Sequence, residues 1–281
     1  MFPKPRIAVI TGPTASGKSA LALEVAKALG AEIISADSMQ VYRGMDIGTA
    51  KPTLKERALV PHHLIDVAEI TENYNAGRFR LEAARAIEEI TARGNPCLVV
   101  GGTILYIKIL LEGLLEGPAR DENARASLET LWDGGEKAAL YEELAGCDPA
   151  LAERLHPNDR TRIIRGLEVF RSTGQRLSEL QRDHGFGGSD YEALIYAVTL
   201  PRALLYERIN QRTAHMLKSG WIEEVRRLLK SGADPKSPPM QAIGYREIVN
   251  HLAAGGASGL LEEEIAKATR HFAKRQETWL K

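Results

Sequence analysis

Eight residues near the start of the chain, Gly12-Pro-Thr-Ala-Ser-Gly-Lys-Ser19, spell a complete Walker A loop. A loop of this composition is a phosphate-binding device. Its backbone N–H groups turn inward around an oligophosphate, the lysine reaches a phosphate oxygen, and the final hydroxyl can serve a magnesium ion. The flanks suit that reading. Arg6-Ile-Ala-Val-Ile10 is a short apolar strand, Ala20 to Leu29 follows at helical spacing, and Gly30 is placed to stop the helix. The start of that helix adds its partial positive charge at the anion. The alternative is a glycine-rich turn with no ligand, which would not need a strand before it and a helix after it. Gly12, Pro13, Thr14, Ala15, Ser16, Gly17, Lys18 and Ser19 are therefore candidate diphosphate- or nucleotide-binding residues, with Ser19 the candidate magnesium ligand. The loop alone does not specify the reaction.

The pattern around the loop fixes the fold class. Glu32-Ile-Ile-Ser-Ala36 reads as a second strand, Asp37 to Pro52 as a loop, Asn75 to Arg93 as a helix, and Pro96-Cys-Leu-Val-Val100 as a buried strand closed by Gly101-Gly-Thr103. A helix from about Leu105 to Leu111 follows. Such alternation predicts a parallel sheet covered by helices. From 117 to 182 only helical periodicity is present, then Asp183 to Ser189 reads as a linker and Glu192 to Leu200 as a strand returning to the sheet. Four helices, near 202–218, 220–231, 242–253 and 261–280, complete the chain. The expectation is an α/β protein with a P-loop NTPase-like parallel sheet, its catalytic core formed by 1–115 and 190–281. An all-helical domain is inserted at 116–189.

Composition narrows the function classes. No apolar run reaches the length of a membrane span, no apolar signal region follows the first basic residues, and Cys97 and Cys147 follow no metal spacing. A reduced, cytoplasmic enzyme acting as a monomer is expected. With 37 basic and 37 acidic residues the net charge is zero, so any nucleic-acid partner must be held by local patches. Such patches exist: residues 151–182 carry seven Arg against four acids, 202–230 carry seven Lys/Arg against three acids, and 265–281 carry five against one. The last helix has an apolar stripe, Ile265, Ala268, Phe272 and Trp279, with Lys267, Arg270, Lys274 and Arg275 mainly off it. Solvated helix faces are the plain alternative.

Three strand ends converge at the carboxyl edge of the expected sheet, where open α/β sheets bind ligands: the Walker loop, Asp37-Ser38, and Gly101-Gly102-Thr103. A carboxylate beside a phosphate loop can hold magnesium or accept a proton from an attacking group. For Asp37 the alternative is capping the turn after its strand. Ser38, Gln40 and Thr103 are hydrogen-bonding residues at the same edge. No second acid follows a strand in the usual Walker B arrangement, and no guanine-reading Asn-Lys-x-Asp segment is present. That weighs against a hydrolysing switch. It leaves a transferase, a kinase acting on a small hydroxyl acceptor, or a nucleotide-regulated binding protein. His62-His63 is expected to play a structural loop role, since adjacent side chains diverge and no third ligand is evident.

Several segments together resemble the tRNA dimethylallyltransferases (tRNA isopentenyltransferases, the IPP transferase family). These are Gly12 to Ser19, Ser35-Ala-Asp-Ser-Met-Gln-Val-Tyr42, Arg43-Gly-Met-Asp-Ile-Gly-Thr-Ala-Lys-Pro52, Pro61-His-His-Leu-Ile-Asp66, Gly101-Gly-Thr-Ile-Leu-Tyr106, His156-Pro-Asn-Asp159, Ile243-Gly-Tyr-Arg246, and Thr269 through Trp279. The resemblance covers nearly the whole chain. It implies transfer of a dimethylallyl group from dimethylallyl diphosphate to the exocyclic N6 amine of the adenosine 3′-adjacent to a tRNA anticodon, with Mg2+ as cofactor. It implies Asp37 as general base, with Lys18, Thr14 and Arg212 serving the diphosphate. Arg212 and Met216 match the family's Arg-x-x-x-Met element. The helical insertion is implied to grip tRNA, and tRNA contacts are implied at Asp37, Ser38, Met39, Gln40, Thr103, Arg125, Thr161, Arg162, Ile163, Ile164, Arg165, Gln241, Ala242, Ile243, Gly244, Tyr245 and Arg246. The insertion and the basic last helix argue against the related enzymes that prenylate free adenylate. Ile104 stands where Gly or Met is common, and the sequence stops at Trp279-Leu-Lys281, where relatives continue for a short segment.

Overall fold

The computed structural model describes residues 4–114, 121–185, 189–256 and 259–280. The chain runs β1 (Arg6–Thr11), α1 (Lys18–Leu29), β2 (Glu32–Ser35), α2 (Leu54–Leu59), β3 (His62–His63), α3 (Ala76–Ala92), β4 (Cys97–Gly101) and α4 (Ile104–Glu112). Five helices follow: α5 (Glu122–Asp133), α6 (Lys137–Cys147), α7 (Pro149–Ala152), α8 (Arg160–Thr173) and α9 (Leu177–His184). The remainder is β5 (Glu192–Ala197), α10 (Arg202–Lys218), α11 (Trp221–Lys230), α12 (Tyr245–Ala253) and α13 (Leu261–Trp279). Two compact units result, Met1–Leu111 with Ser189–Lys281, and Glu112–Gly188. Among the described residues no helix is long and apolar enough to cross a membrane.

The first unit is built on one five-stranded sheet, ordered β3-β2-β4-β1-β5, with every pairing parallel. All five residues of β4 are buried, as a strand covered on both faces requires. Ile10, Ala22, Ala26, Ile33, Leu98 and Val100 form the core between α1 and the sheet. After β1 the chain moves to one side of the sheet, and after β4 it moves to the other side to form β5. The direction of winding therefore reverses between the neighbouring strands β1 and β4. The crevice beyond their carboxyl ends is where a sheet of this kind accepts its ligand.

The helical unit has its own core. Leu128, Leu140, Leu144, Ile163, Ile164 and Leu167 are almost fully buried and pack together. Gly166 lets α8 approach: a Cβ there would lie 2.7 Å from a Leu151 methyl and 2.8 Å from a Leu144 methyl. Asp121 and Asp159 cap α5 and α8 with their side chains.

The structure revises three local expectations. The stretch after Pro52 contains α2, closed by a capping box of Thr53 and Glu56, and the two-residue strand β3. His62-His63 is thus part of a strand rather than a loop, with His63 paired to Glu32 at 2.6 Å. Helix α9 extends through Asp183 and His184, and Gly185 ends it in a left-handed conformation. The rest of the expected linker, 186–188, lies outside the described residues. On α13 the buried face is Ile265, Ala266, Ala273 and Gln276, while Trp279 is 60% exposed. Trp279 sits in the last turn of the helix.

Candidate active site

The phosphate loop leaves β1 with Gly12 in extended positive-φ backbone, passes Ala15 at φ 64°, and enters α1 through Gly17 at φ 92°. A non-glycine residue at positive φ costs about 1–2 kcal/mol, so Ala15 marks a backbone path held against local preference. No side chain caps α1. Its first N–H groups have no intrahelical acceptors and point where an anion can take them. Ser16 is buried, and its hydroxyl has no hydrogen-bond partner among the described residues.

Two cations stand beside this loop. Lys18 Nζ lies 3.4 Å from the Pro13 carbonyl, and Arg212 of α10 donates to Thr14 Oγ1. Burial pushes the Lys18 ammonium down to about 8, opposed by the charge of Asp37 and reinforced by that of Arg212. Burial likewise lowers Arg212, with Asp37 pulling the other way. Two partly desolvated cations therefore share one carboxylate. That surplus of positive charge suits a polyanion.

Asp37 follows β2, and its Oδ1 accepts from the N–H groups of Met39 at 2.9 Å and Gln40 at 3.3 Å. Oδ2 accepts no hydrogen bond among the described residues. Capping the turn, one of the two alternatives read from sequence, thus occupies one oxygen of the carboxylate and leaves the other unbonded among these residues. Thr103 reaches across from the end of β4: its Oγ1 accepts from Ser38 N–H at 3.0 Å and lies 3.3 Å from Ser38 Oγ. A Cβ at Gly101 would overlap the Ala36 carbonyl, so glycine is what lets these strand ends close. Gln40 is buried, bonded to Ser35 Oγ at 3.0 Å and to the Thr49 carbonyl at 3.1 Å.

These pieces line a single cavity of about 570 Å³ within the first unit. Thr14, Lys18, Ser19 and Arg212 occupy its wall together with Asp37, Ser38, Met39, Gln40 and Thr103. Gln241, Ala242, Ile243 and Arg246 line it too, with Met216, Trp221, Phe272 and Arg275. The polar region around the phosphate loop is thereby continuous with apolar and aromatic surface.

One turn of α11 braces the last wall. Glu224 is 1% exposed and accepts from the backbone of Asp46 at 3.0 Å, Ile47 at 2.7 Å and Gly48 at 3.3 Å, and from Tyr245 Oη at 2.6 Å. Trp221 packs between Gly48 and Gly244, where a Cβ on either glycine would collide with its ring. Sequence reading missed Trp221, Glu224 and Gln276. Its available signal was a polar residue on an apolar helical stripe: Glu224 falls among Trp221, Val225 and Leu228, and Gln276 one turn beyond Phe272.

The structure separates the expected tRNA contacts. Ile163 and Ile164 are 0% and 1% exposed, so their side chains belong to the core of the helical unit and not to an RNA surface. Tyr245 lines the cavity but is 1% exposed, with its hydroxyl committed to Glu224, while Gly244 is covered by Trp221. Arg125 and Arg165 converge on the buried carboxylate of Glu168, at 3.3 Å and 2.7 Å. Thr161 and Arg162 are exposed on the first turn of α8.

A phosphate loop at the reversal point of a parallel sheet, opposed by an aspartate, defines a P-loop-like α/β protein. The comparisons make the class specific. Residues 40–281 match the family model described as IPP transferase. The chain is 49% identical over 278 residues to tRNA dimethylallyltransferase 1 of Trichlorobacter lovleyi, covering 99% of this chain and 91% of that one. It is 48% identical to the tRNA dimethylallyltransferase of Geobacter sulfurreducens, covering 99% and 89%. Among solved structures it resembles the tRNA isopentenylpyrophosphate transferase of Bacillus halodurans (TM-score 0.71, 37% identity, 99% of this chain and 87% of that one). It also resembles a eukaryotic dimethylallyltransferase captured acting on tRNA (TM-score 0.82, 31% identity, 98% and 70%). The chain belongs to the IPP transferase family.

Proposed function

We propose that this chain is a tRNA dimethylallyltransferase. It transfers the dimethylallyl group of dimethylallyl diphosphate to the N6 amine of the adenosine 3′-adjacent to the anticodon, releasing diphosphate. One observation carries the reading: Lys18 and Arg212 flank a phosphate loop in the same cavity that Asp37 lines, with one of its oxygens unbonded among the described residues. Leaving-group binding and proton removal are thus provided within one enclosure, in a chain whose relatives bear the name of that reaction.

An adenine amine is a weak nucleophile, because its lone pair is delocalised into the ring. The reaction therefore depends on a good leaving group and on removal of the amine proton. Lys18, the uncapped N–H groups of α1 and Arg212 take the negative charge that grows as the bond from carbon to diphosphate oxygen breaks. The amine nitrogen forms the new bond to that carbon, and Asp37 Oδ2 receives its proton. The Met39 and Gln40 N–H groups fix the orientation of Asp37, and the Thr103–Ser38 pair holds the neighbouring backbone.

Magnesium fits this donor set. Ser19 is exposed at the start of α1 and lines the cavity beside Lys18. A hard cation carried mainly by phosphate oxygens needs only one or two protein oxygens. Bound there, it would neutralise charge on the departing diphosphate.

For RNA, the target base leaves its stack to reach Asp37. Gln241, Ala242, Ile243 and Arg246 offer edge and stacking contacts at the cavity mouth, and exposed cations such as Arg162 and Arg275 meet phosphates. The enzyme acts as a cytoplasmic monomer. The test uses purified protein, an anticodon stem-loop, dimethylallyl diphosphate and magnesium, followed by mass analysis of the nucleosides. The expected product is one five-carbon unit on the adenosine 3′ of the anticodon, and none when that base is replaced by a purine without the exocyclic amine. Unmodified RNA in both reactions contradicts the proposal.

A further inference from the structure

The backbone ladder between β1 and β4 ends at the pair Thr11 and Gly101. Beyond it the two strands become the phosphate loop and the Gly102-Thr103 turn. A side chain from the last helix spans them at this point. Gln276 of α13 is 5% exposed; its Oε1 accepts from Thr14 N–H at 2.8 Å, and its Nε2 donates to the Gly102 carbonyl at 2.7 Å. Among the described residues neither backbone group has another partner. A Cβ at Gly102 would come within 2.5 Å of that Nε2, so the turn is fitted closely to the amide.

An amide is suited to this place, because one end must accept and the other donate without carrying charge. A carboxylate could accept from Thr14 but would face the Gly102 oxygen with a second acceptor. Alanine would leave a buried donor and a buried acceptor unpaired. Gln276 thus acts as one more rung of the ladder, supplied by a side chain after the strands have parted. Thr14 is also the residue that receives Arg212, and Thr103, next to Gly102, is the residue that holds Ser38 beside Asp37.

We infer that Gln276 is a positioning residue whose amide sets the spacing between the loop that grips the departing diphosphate and the turn that holds the base side of the cavity. The inference rests on the proposed prenyl transfer. In-line displacement is sensitive to spacing, and a misplacement of about 1 Å can cost about 10²-fold in rate. Both ends of the Gln276 amide are taken up by backbone groups, so its effect belongs in kcat and not in affinity.

The experiment compares wild type with Gln276→Ala and the equal-sized Gln276→Glu. Single-turnover prenylation, affinity for inorganic pyrophosphate with magnesium, affinity for the stem-loop, and thermal unfolding are measured for each. Both variants are expected to lose about 10²-fold in rate, with both affinities within about threefold of wild type and a folded, cooperative unfolding transition. A wild-type rate in either variant overturns the inference. So does a loss of pyrophosphate affinity as large as the loss of rate, which would make Gln276 part of the binding surface. Absence of folded protein for both variants overturns it as well, since the amide would then be a determinant of folding. Failure of wild type to prenylate is a separate result, which removes the proposed reaction and not the spacing role alone.

Discussion

At the scale of single residues, the proposed reaction assigns proton acceptance to Asp37 and the grip on the leaving group to Lys18. Asp37→Ala should lower turnover by about 10²–10⁴-fold while leaving pyrophosphate affinity close to wild type; unchanged turnover in a steady-state assay would remove Asp37 from the mechanism. Lys18 adds a pH signature. Burial, countered by Asp37 and aided by Arg212, places its ammonium at about 8, so the free enzyme loses that charge as pH rises through this value. The advantage of wild type over Lys18→Met in binding inorganic pyrophosphate should therefore shrink between about pH 7 and pH 9, measured by calorimetry. A constant ratio would place the lysine elsewhere. The stability sign follows from the same shift. An unfolded lysine keeps its proton to about 10.4, so the buried charge penalises folding below about pH 8, and the penalty is relieved as pH climbs between the two values. Lys18 and Asp37 were legible because each belongs to a short motif with its own chemistry. Gln276 and Glu224 were not, because each is a polar residue on an apolar stripe, and only the packed structure reveals which backbone groups it satisfies.

At the scale of elements, buried charges fasten strands and loops that periodicity cannot place. Glu32 on β2 gathers Arg93 and Asn95 from the turn after α3 and His63 from β3. Burial alone would raise its carboxyl, but the hydrogen bonds from Arg93, Asn95 and His63 prevail and hold it at about 2. Its contribution to stability is therefore present above the ordinary carboxylate value near 4.3 and is lost as pH falls towards about 2. Glu32→Gln should flatten the acid-unfolding curve over that window; an unaltered curve would show the cluster to be inert. Glu224 holds the turn at Asp46 to Gly48 with three N–H bonds, and Glu224→Ala should destabilise by about 3 kcal/mol in urea denaturation, since four donors lose their acceptor at once. These ties explain what the sequence hid. Strand β3 has only two residues, too few for any alternation, and its place beside β2 depends on a histidine meeting a glutamate 31 positions away. By contrast β4 and α10 announced themselves, one as an unbroken apolar run between Pro96 and Gly101, the other as 17 residues of helical spacing behind Pro201.

At the scale of the whole molecule, the α/β class was readable from the order of strand and helix signals, whereas the division of labour among its arginines was not. Seven Arg between 151 and 182 suggested a basic surface, yet several are joined to acids: Arg165 to Glu168, Arg171 to Glu143, Arg160 to Asp133. Arg162 and Arg246 are paired as well, to Asp159 at 3.5 Å and to Glu247 at 2.6 Å, but both stay exposed, as does Arg275, and can be drawn to phosphates. If each neutralises one phosphate, the logarithm of stem-loop affinity should fall against the logarithm of salt with a slope of about −2 to −3; a flat response would mean that none of them meets the backbone. In the proposed reaction one cavity releases diphosphate and alkylates an adenine amine in the same event. Diphosphate set free and five-carbon units gained by the RNA, counted in one reaction with magnesium and a nucleoside triphosphate also present, test it most directly. One diphosphate should be released per prenyl group attached, with the triphosphate untouched. RNA left unaltered while the triphosphate is spent on a small alcohol would contradict it.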